Sequence, residues 1–190
     1  MEQKVIKMYH ISKDKRAKVS AEKIGNGFVQ CLQTKSFTDI TVTEVQKKSG
    51  VGRATFYRLF DNTSDVLSFL CDRIFVEAGK EFSKMKNPTT DQTTLCFIER
   101  CMENKLLLKA IIESNRMDLL YNAHVKFIGQ AQTYFFPETN KEELNYLLIT
   151  LTACISAFVI AWQKNGSKET AENLQNRLKV CLKTLNKIFH

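Results

Sequence analysis

The chain has 190 residues, 44% hydrophobic and 25% charged, with only two prolines and seven glycines. That balance excludes a disordered chain, allows one large domain or two small ones, and favours helices over alternating strands. The formal net charge of +8 suggests an anionic partner, and its placement says more than its size: residues 1–64 carry 12 Lys/Arg against 6 Asp/Glu, residues 65–190 carry 16 against 14.

Residues 1–16 are mixed and basic and read as a loose arm, more readily a solvated tail than a groove-binding one. Met1 to Val5 lack the apolar core and cleavage site of a secretory signal, so a cytoplasmic location is expected. From about Lys18 to Thr34, Ile24, Phe28, Cys31 and Leu32 recur at helical spacing and form one apolar stripe. Gly25 and Gly27 interrupt that stripe, each at a cost of about 1 kcal/mol relative to alanine. Phe37 and Ile40 plug the connection that follows.

Thr41-Val42-Thr43-Glu44 fits the capping box, in which the threonine hydroxyl and the glutamate carboxylate exchange hydrogen bonds with each other's amides. A helix is expected from Val42 to about Lys48, with Val42 and Val45 inward. Ser49-Gly50-Val51-Gly52 breaks it, since glycine enters left-handed backbone at little steric cost. A second short helix, about Arg53 to Leu59, completes a helix-turn-helix, the unit whose second helix lies in the DNA major groove. Phe56 and Phe60 share its inward face. The outward face should present Arg53, Ala54, Tyr57 and Arg58, with Thr55 at the margin. Arginine can pair with guanine edges, threonine and alanine methyls can touch thymine, and hydroxyls can hold phosphates. By chemistry alone, DNA binding and an ordinary solvated face are equally open readings.

The same stretch carries a resemblance. Ser36-Phe37, Thr41-Val42, Gly50-Val51, Thr55-Phe56-Tyr57, Phe60 and Leu67, at this joint spacing, resemble the signature of the TetR family of bacterial transcription regulators over roughly Ile24 to Leu67. The resemblance implies an all-helical homodimer with an N-terminal DNA-binding domain and a variable C-terminal domain for ligand binding and dimerisation. By position it also implies that Thr43, Arg53, Thr55, Tyr57 and Arg58 face DNA. Ser36 stands where glycine is usual, Ser49 where alanine is usual, Ala54 at a position often glycine, and Thr63 where a lysine often contacts phosphate.

Asn62 with Asp65 marks the start of a long helix whose stripe is Leu67, Cys71, Ile74, Ala78 and Phe82. It is the expected connector, and Met85 to Thr90, with Pro88, should stop it. The domain organisation expected is therefore 1–64, a three-helix helix-turn-helix domain, and 65–190, a larger helical domain for ligand binding and dimerisation. Helical patterning resumes from about Thr93 and continues to Phe136, closed by Pro137. Phe97, Met102, Met117, Tyr121 and Phe127 are large and deformable, could line a cavity for a small apolar ligand, and could equally be ordinary core. Tyr134 and Phe135 belong to the same apolar set. His124 could add a polar contact.

Asn140 to Trp162 is apolar nearly all round, long enough to cross a bilayer, but Asn145, Thr150, Thr152 and Ser156 favour burial between its own core and a partner subunit. No membrane partner is expected. A last amphipathic helix starts at Thr170 and carries Leu174, Leu178, Cys181, Leu182 and Leu185. The last two helices should pair with their symmetry mates as a four-helix bundle, with Phe158, Trp162, Leu178 and Leu182 at the interface. Ala153 to Gly166 weakly resembles the C-terminal domain of dihydroxyacetone kinase regulators.

Six cysteines lie without C-x-x-C spacing or nearby histidines, which reads as reduced, mostly buried thiols; a redox pair of Cys96 and Cys101 is the remote alternative. With histidine only at positions 10, 124 and 190, and no nucleophile–base pair, metal cluster or phosphate-cradling loop, neither an enzyme, a metal nor a cofactor is expected. The function expected is a homodimeric, sequence-specific regulator of double-stranded DNA operators, a repressor responsive to a small apolar ligand. The alternative is a co-regulator that works through a protein partner without a small-molecule pocket.

Overall fold

The computed structural model describes residues 9–12, 14–86, 89–135 and 140–188, without the side chains of residues 82, 128–135, 141, 145 and 148. The expected arm up to residue 8, Pro88, Phe136, Pro137 and His190 therefore lie outside the described residues, as do the side chains of Phe82, Tyr134, Phe135 and Asn145.

Nine α-helices and no strand occur among the described residues, so the fold is all-α. They are α1 (Lys15–Leu32), α2 (Val42–Ser49), α3 (Arg53–Leu59), α4 (Thr63–Phe82), α5 (Thr90–Glu103), α6 (Lys105–Glu113), α7 (Met117–Phe135), α8 (Lys141–Lys164) and α9 (Ala171–Ile188), with a 3-10 turn at Phe37–Asp39. Short polar side chains set most of the starts. Asp14 caps α1 through the Arg16 amide at 3.1 Å, Asn62 caps α4 through the Asp65 amide at 3.1 Å, and Asn140 takes the amides of Glu142 and Glu143. Thr89 and Gln92 form a second capping box, which is why α5 begins before the stripe that marks it in the sequence. Likewise α1 starts at Lys15, about a turn ahead of the expected Lys18, because Ala17 and Ala21 extend the buried stripe.

One hydrophobic core runs from Ala17 in α1 to Leu178 in α9. α1 lies over α2 and α3 and also touches α4 and α6, while α4 meets α5, α6 and α7. Gly27 lets α1 and α2 approach: a Cβ there would sit 2.7 Å from the Ser49 amide nitrogen. Gly79 does the same for α4 and α7, where a Cβ would meet the Phe127 ring at 2.7 Å.

α8 and α9 are amphipathic in the folded chain, but each keeps apolar side chains in the open. On α8, Leu144, Ile155, Val159 and Trp162 are buried, whereas Tyr146, Leu147 and Ile149 are exposed. On α9, Leu174 and Leu178 are buried, and Val180, Leu185 and Ile188 are exposed. By length and composition Glu142–Lys164 is apolar enough to cross a membrane; here it packs on α5, α6, α7 and α9.

Cys31, Cys71, Cys96 and Cys101 are buried free thiols, Cys154 is half-buried, and Cys181 is exposed. Burial pushes the Cys101 thiol well above its usual range and Cys96 up to about 11, so both stay protonated and unreactive at neutral pH.

Candidate nucleic-acid interface

The unit formed by α2, the turn and α3 is built from local chemistry. The Glu44 amide donates to Thr41 Oγ1 at 3.3 Å and the Thr41 amide donates to Glu44 Oε2 at 3.0 Å, which completes the capping box read from the sequence. The Lys35 ammonium also donates to Glu44, and with the Thr41 bonds holds the Glu44 carboxyl down at about 2, well below the usual carboxylate range. Gly50 ends α2 at φ 66°, in left-handed backbone, with its amide donating to Gln46 O at 2.9 Å. Ser49 Oγ then accepts the Val51 amide at 3.3 Å and shapes the turn.

α3 has two different sides. Phe56, Leu59 and the following Phe60 are buried, and Phe56 packs on Phe60 at 5.9 Å between ring centroids. Arg53, Ala54, Tyr57 and Arg58 are exposed, Thr55 is intermediate, and Thr43 on α2 is exposed. Tyr57 keeps 43% of its surface open although its ring edge lies against Phe56 at 5.5 Å. The Arg53 guanidinium carbon sits 5.5 Å from the Tyr57 ring centroid, a cation–π contact that aligns two side chains one turn apart. Lys47 and Lys48, exposed in the last turn of α2, add positive charge that the sequence reading did not assign to the face. Their position on the polar side of that helix was the available clue.

Among the described residues the six pocket candidates fall into separate groups. Phe97, His124 and Phe127 converge on Phe75: Phe97 and His124 stack at 4.7 Å with 6° between planes, and Phe75 lies 4.6 Å from Phe97, 5.1 Å from His124 and 5.9 Å from Phe127. His124 is 3% exposed, its Nδ1 has no hydrogen-bond partner among the described residues, and burial drives its pKa down to about 3, so the ring is neutral. Met117 and Tyr121 are half-buried on α7. Met102 instead lines an open groove of about 710 Å³ between α1, α5, α6 and the start of α9, together with the apolar Val29, Leu106, Leu107 and Ala171 and the charged Glu99, Arg100, Glu103, Lys105 and Glu172.

The four interface candidates also divide. Trp162 and Leu178 are buried within the chain itself, and the Trp162 indole N–H donates to Glu169 O at 3.0 Å. Phe158 and Leu182 are half-buried at the margin of that core. The apolar surface left open on the same two helices includes Tyr146, Leu147, Ile149, Val180, Leu185 and Ile188.

A short helix pair with a glycine-broken turn, mounted on a larger body of long helices, defines an all-α helix-turn-helix fold. That is the fold of TetR-type transcriptional regulators, as solved structures attest. Lin0861 from Listeria innocua matches at TM-score 0.77 and 16% identity, over 94% of this chain and 99% of that one. The TetR transcriptional regulator from Streptococcus agalactiae matches at TM-score 0.57 and 20% identity, over 87% and 94%. The dihydroxyacetone kinase operon activator DhaS matches at TM-score 0.59 and 18% identity, over 90% and 98%. No protein-family model and no curated protein matches the chain.

Proposed function

We propose that the chain is a sequence-specific DNA-binding transcriptional regulator of the TetR type that works as a homodimer. The observation that carries this reading is the two-sidedness of α3: one side is anchored by Phe56 and Leu59, and the other offers Arg53, Ala54, Tyr57 and Arg58 to a duplex groove. In this reading Arg53 and Thr55 approach base edges, while Thr43, Tyr57 and Arg58 hold phosphates. The charge surplus of residues 1–64 supplies the non-specific attraction. Residues 1–64 are then the DNA-binding domain and residues 65–190 the regulatory and pairing domain, with the exposed apolar faces of α8 and α9 as the surface between copies.

Regulation by a small apolar ligand, with release from DNA as its effect, draws support from the aromatic cluster of Phe97, His124 and Phe127, where a neutral imidazole, its Nδ1 unpaired among the described residues, lies among rings. That cluster is tightly stacked, which supports a second reading in which a protein partner, not a metabolite, supplies the regulatory contact.

Selection of bound sequences from random DNA, followed by titration of the selected site at fixed salt, tests the DNA reading. Absence of any selected sequence would refute it. Melting the pure protein against a metabolite library separates the two modes of regulation, since a ligand of the folded state raises the midpoint.

A further inference from the structure

Three segments far apart in the sequence meet on one carboxylate oxygen. The Tyr9 hydroxyl donates to Asp72 Oδ2 at 2.5 Å, and the Lys126 ammonium donates to the same oxygen at 2.6 Å. Asp72 belongs to α4, Lys126 to α7, and Tyr9 precedes α1. The Asp72 side chain is 18% exposed, so the three groups meet in a largely shielded place where charge-assisted hydrogen bonds hold geometry well. Burial and the neighbouring Asp72 raise the Tyr9 phenol, which keeps it a donor.

Tyr9 is also fastened to the end of α3. Its ring packs edge-on against Phe69 at 5.6 Å and lies 6.2 Å from Phe60, the residue that ends α3. The next residue, His10, donates its backbone N–H to Leu59 O at 2.9 Å and so occupies a carbonyl in the last turn of α3. The His10 ring reaches Asp61 Oδ2 at 3.3 Å. At the other end of the junction, Lys126 sits between His124 and Phe127 of the aromatic cluster.

We propose that Asp72 is a positioning residue for the DNA-reading helix: through Lys126 it senses the placement of α7, and through Tyr9 it sets the carboxyl end of α3. The inference rests on the DNA-reading role of α3. It supplies a route from the aromatic cluster to α3 that crosses α4 at Asp72. A ligand or partner that displaces α7 pulls Lys126 from the shared oxygen, loosens Tyr9, and frees the last turn of α3.

The test uses the full chain with Lys126→Met, Tyr9→Phe and the pair together, and Lys109→Met as a control that removes the same charge from α6, where Lys109 faces Glu113. Amide hydrogen exchange is read at His10 and Phe60 in DNA-free protein, relative to amides of α9, so that a uniform loss of stability cancels. Each single variant should speed exchange at these two amides about threefold to tenfold beyond the control, and the double variant should do no more than the larger single, as expected of groups sharing one partner. Lys126→Arg should restore the wild-type rate. Wild-type exchange at both amides in Lys126→Met, or effects of the two singles that multiply in full, would overturn the junction. Affinity for the selected DNA should fall more in Lys126→Met than in Lys109→Met, and equal losses count against coupling. If the wild type itself selects no DNA, the DNA reading fails while the exchange rates still judge the junction.

Discussion

Gly27→Ala should destabilise the chain by about 1–2 kcal/mol, although alanine is the better helix former. The propensity change alone favours alanine by about 1 kcal/mol. Against it stands the approach of α1 to α2: the new Cβ would lie 2.7 Å from the Ser49 nitrogen, 2.8 Å from its Cβ and 3.0 Å from its Cα. These are mostly backbone atoms of the residue before the turn glycine, so relief requires α2 to retreat. With ordinary contact beginning at 3.4 Å, the retreat is about 0.7 Å. Overpacking of this kind costs about 1–3 kcal/mol, and a backbone obstacle belongs at the upper end, which leaves the net loss stated. The same retreat strains the turn held by Ser49 Oγ and the Val51 amide. Gly25→Ala is the matched control, since its Cβ would meet only side-chain tips, those of Leu70 at 3.0 Å, Phe69 at 3.4 Å and Arg73 at 3.7 Å. Those tips can move, and the variant should lie close to wild type. Urea unfolding of both variants reads the difference as a shift of midpoint at constant slope. A Gly27→Ala protein as stable as Gly25→Ala would refute the close-packing account of α1 and α2.

Arg53→Ala should cost about 1–3 kcal/mol of operator affinity and relax the preference at one base position; equal loss on every sequence would instead make Arg53 a phosphate clamp. His124 stays neutral when folded because burial takes it down to about 3, whereas the unfolded ring titrates near its usual 6.5. The unfolded chain therefore binds the extra proton between these values, and stability, complete above 6.5, falls by up to about 1.4 kcal/mol per pH unit as pH drops toward 3. Urea titrations across this range should show that limb flattened in His124→Phe, and an unchanged limb would remove His124 from the account. Ile149→Glu with Val180→Glu should yield a monomer by sedimentation, with midpoint loss only where the wild type is paired. Trp162→Ala should instead lower stability at every concentration, by about 3–5 kcal/mol, because its ring lies inside the chain.

The devices legible in the sequence were the local ones. The Thr41 capping box, the Gly50 break, the span of α3 and the Asn62 cap each need only a few neighbouring residues, seven at most, to be recognised, and each recurs in the structure. Some local signs were present and passed over. Thr89 and Gln92 have the same spacing as Thr41 and Glu44, and Asp14 is an ordinary N-cap one residue before Lys15. Gly27 shows a harder limit. In sequence it is a weak point in a helix; its role becomes visible only when Ser49, 22 residues later, is seen against it.

The surface proposed for pairing was obscured for a different reason. The apolar stripe of a helix specifies that a face is covered and is silent on whether the cover is the same chain or another. Trp162 and Leu178 are the large residues that such a stripe favours, and the chain covers them itself with the turn at Glu169 and with the rest of the core. Tyr146, Ile149 and Val180 remain open because they stand on the other sides of α8 and α9. Those faces become identifiable only after the chain's own packing has been subtracted. The meeting of Tyr9, Asp72 and Lys126 belongs to the same category: separations of 63 and 54 residues leave no spacing to read, and each residue taken alone is an ordinary polar position on a helix or its approach. What local pattern cannot supply is which of many charged side chains share a partner, and that is the information on which transmission between α7 and α3 depends.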